Sequence, residues 1–221
     1  MTRRLPVPPA PAPLEAYARQ FDPLLGKDNQ RSGFRRYVEG VLLPTERHKT
    51  LTALVNVEPI AGAPEARVQS LQWFLSEATW DAQAVNARRL ELVRADPATA
   101  PDGRGVLVID EHGDRTWGTR TAHVGKQYLG SLGKVDNGVV SVSSLWADER
   151  VDEPLEVEPS TPAHHFPKRQ ADPQFRTKPQ IALELVDRAR QLQLPFRAVV
   201  ADAVYGKEPS VQEGLEHLGV G

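Results

Sequence analysis

The chain has 221 residues, 40% apolar and 25% charged, with a formal net charge of −2, an ordinary globular composition long enough for one large domain or two small ones. It holds no cysteine, which excludes disulfides, thiolate zinc sites and a cysteine nucleophile and suits a reducing cytoplasm. The opening MTRRLPVPPAPAP lacks an apolar signal region and no stretch approaches the roughly 18 apolar residues of a membrane span, so we expect a cytoplasmic protein with no membrane partner.

Residues 1–13 carry five prolines among small residues, which predicts a flexible arm. From 14 to 95 the spacing is helical: Leu14, Tyr17, Ala18 and Phe21 share one face, as do Phe34, Tyr37, Val38, Val41 and Leu42, with Pro44 ending that helix. Val68, Leu71, Phe74 and Leu75 form a third stripe, and Asp81 caps a fourth helix carrying Val85 and Leu92. Residues 1–50 hold nine Lys/Arg against five Asp/Glu. Arg31, Arg35, Arg36, Arg47 and Lys49 supply most of this excess and are candidate phosphate contacts, with a merely solvated face as the rival reading.

Residues 96–105, DPATAPDGRG, are rich in turn formers and predict a linker between a helical region, 14–95, and a second domain, 106–221. Beyond it, VLVID reads as a buried strand, EHGDRTWGTR as a polar turn, GKQYLGSLG as a strand, and NGVVSVSSLWA as a strand opened by an Asn137-Gly138 hairpin signal, giving three antiparallel strands. Residues 148–176 show no period and predict an irregular excursion. Thr177 with Gln180 makes a capping box for a helix bearing Ile181, Ala182, Leu185, Ala189 and Leu192, stopped by Pro195. Strand FRAVVAD follows, then a glycine turn at Tyr205-Gly206. A last helix starts at a Ser210/Glu213 capping box and stops at Gly219. The order is β-β-β-α-β-α.

Two acids close apolar strands: Asp110 ends VLVID and Asp202 ends FRAVVAD. Side chains at the carboxyl ends of such strands face the crevice where α/β sheets place ligands. Two carboxylates held together there repel unless a hard divalent cation lies between them. A strand-end aspartate taken alone is more often a cap. A nucleotide-hydrolase reading of Asp110 lacks its GxxxxGK[ST] phosphate loop. Three strands, a helix and a fourth strand is the order of the ribonuclease H-like fold, in which the first and fourth strands are neighbours.

Six ordered blocks carry a more specific likeness: YVEGVLLPTERHKT (37–50), LSEATWDAQAV (75–85), VLVIDEHG (106–113), HVGKQYLGSLGKVDNGVVSVS (123–143), FRTKPQIALELVDRA (175–189) and VVADAVYG (199–206). From Tyr37 to Val220 the chain resembles the bacterial insertion-sequence transposases of the DDE superfamily. The resemblance implies an α+β architecture, with a helical N-terminal region that grips DNA and a ribonuclease H-like domain. It makes Asp110 and Asp202 the first and second metal-binding acids, and it implies Mg²⁺- or Mn²⁺-dependent cleavage and joining of double-stranded DNA at transposon ends. The family's third acid, a Glu on a helix beyond a further strand, does not carry over, because the sequence stops 19 residues after Asp202. Glu208, Glu213 and Glu216 fall before or on the intervening helix. This predicts a truncated, weakly active or inactive transposase that lacks the last strand, acting as a homodimer or paired with a full-length copy. The alternative is a non-catalytic DNA-binding remnant that restrains a full-length enzyme; a decayed fragment is the bland third reading. EHGDRTWG also departs from the lysine-rich turn that relatives carry after the first acid.

The remaining candidates have plainer explanations. His123 and Lys126 could touch DNA or merely finish a turn. Adjacent His164 and His165 point opposite ways on a strand and suit a solvated loop better than a metal. Phe34, Trp73, Phe74 and Trp80 fit a core better than a base-stacking platform. Glu111 and Asp114 are exposed turn acids on this reading.

Overall fold

The computed structural model describes residues 13–42, 50–55 and 68–220. Arg47, Lys49, Pro44 and most of the expected proline-rich arm lie outside them. The chain divides into two compact units, Met1–Arg89 and Leu90–Gly221.

The first unit is helical: α1 (Pro13–Arg19), α2 (Asp28–Leu42), α3 (Leu51–Val55), α4 (Val68–Ser76) and the opening of α5 (Ala82–Ala95). Its apolar stripes meet in a core of Ala18, Phe21, Leu25, Phe34, Leu71 and Phe74, all buried. Phe21 and Phe34 bring their ring centroids within 5.0 Å, and Trp80 stacks on Phe74 at 5.4 Å while its Nε1 donates to the Phe74 carbonyl. These aromatics are therefore core, apart from Trp73, which is exposed. Asp81 caps α5 as its position predicts, Oδ1 accepting from the amides of Gln83 and Ala84 at 2.9 and 3.1 Å. The five-residue α3 is too short for a periodicity to register.

The second unit is a mixed sheet backed by helices. Its strands are β1 (Val106–Arg115), β2 (Gly125–Leu129), β3 (Lys134–Ala147), β4 (Asp152–Ser160) and β5 (Val199–Ala201), and its helices after α5 are α6 (Lys178–Gln191), α7 (Ala203–Gly206) and α8 (Pro209–His217). β3 pairs antiparallel with β1, β2 and β4, and β5 pairs parallel with β1. β1, β4 and β5 thus run in one direction and end on one side of the sheet. Leu107, Ile109, Val142 and Trp146 point from the sheet into a core completed by Ile181, Leu185, Val186 and Ala189 of α6 and Val211 of α8. Leu90 joins this core, so the last turns of α5 belong to the sheet unit and the division falls inside a helix, ahead of the expected 96–105 linker.

Several local expectations are corrected. β1 continues through EHGDR instead of turning, because its residues to Arg115 stay in register with β3. Asn137-Gly138 lies inside β3 and is not a hairpin turn. The Asn137 side chain donates to the carbonyls of Thr116 and Gly118, and a Cβ at Gly138 would lie 2.5 Å from the Asp114 carbonyl. The hairpin closes instead at Gly130–Gly133, where Gly133 takes φ +64°. The segment read as irregular contains β4, and its acids are held from α6 and the preceding loop: Arg188 meets Glu156 at 2.8 Å and Arg176 meets Glu158 at 2.6 Å. Ser210 does not cap α8. Glu208 takes the cap position and the Ser210 hydroxyl donates to the Glu208 carboxylate. The Thr177/Gln180 capping box forms on α6, and Gly219, at φ +64°, follows the end of α8.

Candidate functional site

The parallel register of β1 and β5 pairs Leu107 with Val199, Val108 with Val200 and Ile109 with Ala201. Asp110 is the next residue of β1, and Asp202 is the first residue past the end of β5. Neighbouring strands are about 4.8 Å apart, so Ile109 and Ala201, the residues just before the two acids, lie side by side. Ile109 and Ala201 line the same apolar cleft beside α6 and α8. Strand alternation turns Asp110 to the face opposite Ile109, and both aspartates are exposed. Three backbone pairs thereby join the segments that lead into two acids 92 residues apart in sequence.

Each acid has one oxygen held by the backbone. Asp110 Oδ1 accepts from the Glu111 amide at 2.8 Å, and its Oδ2 lies 3.7 Å from His112 Nε2. Asp202 caps α7, its Oδ1 accepting from the amides of Val204 and Tyr205 at 2.9 and 3.2 Å. The cap reading of a strand-end aspartate is therefore true of Asp202. It leaves Oδ2 of each residue for another partner. Behind the pair, the buried phenol of Tyr205 donates to Glu111 Oε2 at 3.3 Å, and Lys178 Nζ lies 3.0 Å from the same oxygen. Burial first, and then the negative charges of Glu111, Asp202 and Asp110, push the Tyr205 phenol well above its ordinary pKa, so it stays protonated and a donor. Glu111, expected as an exposed turn acid, is half-buried and paired. No group of three or more His, Cys, Asp or Glu gathers to hold a metal ion among the described residues.

The expected DNA contacts are redistributed. Arg35 is held inside the helical unit by Glu15 at 2.9 Å and Asp22 at 2.7 Å, and Arg36 is fully buried against Glu39 at 3.2 Å. Both guanidiniums are thus engaged by acids of the same unit. His123 is half-buried, its Nδ1 2.7 Å from the Thr161 hydroxyl. Lys126 is exposed on β2. His164 and His165 share a 3-10 turn, with ring centroids 4.3 Å apart instead of the opposed directions a strand would give, and His165 Nε2 lies 2.6 Å from the Val124 carbonyl. One feature the sequence did not single out is Trp117, 83% exposed just past β1, with the Arg115 guanidinium 3.9 Å over its ring. Its only sequence signal was an aromatic inside a polar turn.

A family model described as DDE superfamily endonuclease matches residues 20–221. Over 139 residues the chain is 36% identical to the probable transposase for insertion sequence element IS701 of Microchaete diplosiphon, an alignment that takes in 63% of this chain and 35% of that relative. The chain thus aligns with about a third of the curated relative's length. No solved structure matches it. No helix among the described residues is long and apolar enough to cross a membrane.

Proposed function

The chain belongs to the DDE superfamily endonucleases, and from that premise we propose that it is a DNA transposase polypeptide of the insertion-sequence type whose Asp110 and Asp202 hold a divalent metal at the end of a ribonuclease H-like sheet. The observation that carries the reading is the β1–β5 register, which sets the residues just before the two acids side by side. The relative's printed name, a probable transposase, agrees with it. The strand path β4–β3–β1–β5, with α6 between β4 and β5, has the first strand central and a parallel strand beside it, as that fold requires.

The donor set fits Mg²⁺ or Mn²⁺: two hard, exposed carboxylate oxygens, each on a carboxylate whose other oxygen is already held by backbone amides. A metal bound there supplies Lewis-acid stabilisation and activation of the attacking oxygen in phosphodiester cleavage. The protein's own part is to fix the two carboxylates on rigid strands and to seat the DNA strand. Exposed Lys126, with Arg115 at the end of β1 and Trp117 just past it, provides phosphate contact and a ring for stacking.

The reading rests on two acids where the resemblance implies three, and the described residues gather no cluster of three possible ligands. The 221-residue polypeptide assayed alone is therefore a weak or inactive nuclease, since a lost ligand loosens the metal and removes charge stabilisation at the transition state. This favours a second reading beside the first, in which the chain occupies transposon ends and restrains a longer copy. Gel shifts on double-stranded terminal-repeat DNA at rising salt, run alongside Mg²⁺- and Mn²⁺-dependent cleavage assays, test both. Binding that weakens steeply with salt, with little cleavage, is expected. Absence of binding at low salt refutes the DNA-end reading, and robust cleavage by this chain alone refutes its predicted weakness.

A further inference from the structure

Glu111 and Tyr205 each engage one acid of the pair through the backbone and each other through their side chains. The Glu111 amide donates to Asp110 Oδ1 and the Tyr205 amide donates to Asp202 Oδ1. The side chains of the same two residues then meet, the Tyr205 hydroxyl donating to Glu111 Oε2 at 3.3 Å across 94 residues of sequence. Lys178, at the start of α6, binds that oxygen from a third element at 3.0 Å. The two amides that orient the carboxylates are thus tied to one another through a phenol, a carboxylate and an ammonium.

From this closed circuit we infer that Tyr205, Glu111 and Lys178 are positioning residues that set the separation and aim of the Asp110 and Asp202 carboxylates. The inference rests on the metal reading given above. The geometry explains why each member has its chemistry. β5 pairs through only three residues, and α7, which Asp202 caps, is a single turn. Left alone, such short elements would let the second acid wander relative to the first. Tyr205 is 3% exposed, so its hydroxyl is aimed by the packed ring rather than free to swing. Glu111 adds a third carboxylate near the pair, and Lys178 offsets that charge, so the brace does not add to the repulsion the metal must overcome. Groups one step behind metal ligands typically change metal affinity about 10- to 100-fold when removed.

The test is an EPR titration of the 221-residue chain with Mn²⁺ alone, with thermal melts of every variant. Tyr205→Phe keeps the buried ring and deletes only the hydroxyl; Lys178→Gln removes the charge and Lys178→Arg returns it. We expect Tyr205→Phe and Lys178→Gln to weaken Mn²⁺ binding about tenfold at temperatures well below their melting points, and Lys178→Arg to recover most of the loss. A merely structural brace would lower the melting point and leave Mn²⁺ affinity unchanged, and that result overturns the positioning role. Asp110→Asn and Asp202→Asn separate the two layers of the argument. If they abolish binding while Tyr205→Phe and Lys178→Gln do not disturb it, only the positioning role fails. If they bind Mn²⁺ like the parent chain, or the parent chain binds none, the metal reading fails and takes the positioning role with it.

Discussion

Substituting Gly105 with alanine tests whether the acid pair depends on one buried ring. A Cβ at Gly105 would lie 2.2 Å from Cε2 and Cζ2 of Trp146, at least 1.2 Å inside the 3.4 Å where ordinary contact begins. Trp146 is fully buried in β3, and its Nε1 donates to the Pro195 carbonyl at 2.7 Å, just before the chain enters β5. The glycine's own carbonyl accepts from the Arg197 amide at 2.9 Å. A ring displaced by about 1 Å gives up its hydrogen bond and strains the core. Overpacking costs about 1–3 kcal/mol, and the unpaired indole and carbonyl cost roughly another 1–3 kcal/mol. For a unit of this size a destabilisation of about 3 kcal/mol lowers the melting temperature by roughly 10 °C. Gly130→Ala is the control, since nothing lies within 4 Å of the added Cβ, and its effect should stay within about 0.5 kcal/mol. The assay is thermal and urea unfolding followed by tryptophan fluorescence, paired with the Mn²⁺ titration. Because Pro195 and Arg197 lead into β5, Mn²⁺ affinity should fall together with stability. A Gly105→Ala protein that melts within about 2 °C of the parent would refute the reasoning.

Two further outcomes follow from ion pairs and caps. In the helical unit, hydrogen bonds from Arg35 hold the carboxyls of Glu15 and Asp22 below their ordinary pKa values. Depressed carboxylates stabilise the fold above their unfolded values near 4 and lose that contribution as pH falls through the folded ones. The helical signal should therefore weaken below about pH 4 in an acid titration followed by circular dichroism. Arg35→Ala should cost about 3 kcal/mol, discounted from a fully buried pair because Asp22 is a third exposed, and should flatten that pH dependence; an unchanged acid profile would count against the assignment. Thr177→Ala removes the capping box of α6 and should cost about 1 kcal/mol in urea unfolding, whereas Thr177→Ser should be nearly neutral.

How much was legible in the sequence depended on how local the cause was. VLVID announced itself as an unbroken apolar run on a central strand, whereas FRAVVAD shortens to the three-residue border strand β5. The α6 cap was readable because Thr177 and Gln180 satisfy each other within one turn. β4 was not readable. Its DEPLEVEPS carries two prolines and four acids, a pattern typical of loops, and becomes a strand only because β3 and the arginines at 176 and 188 receive it. The Asn137-Gly138 pair misled for a similar reason: its glycine serves a close backbone approach instead of a turn. At the candidate site, Asp110 and Asp202 could be picked out because each closes an apolar run, although β1 continues past Asp110 to Arg115. The Tyr205–Glu111–Lys178 linkage could not, because it joins residues from three elements with no spacing rule between them. Arg35 and Arg36 looked like surface charge because composition reports a residue's sign but not the acids folded against it.

The two borders of the sheet differ in kind. On the β4 side, Pro154 and Pro159 lack amide donors and Glu156 and Glu158 are tied down by arginines, a margin that discourages adhesion of another chain. On the far side, β5 bonds only to β1 among the described residues, and Val200 is 46% exposed. A newcomer strand joining the β5 border would lie immediately beside Asp202. Its arrival there would stiffen the shortest strand of the sheet.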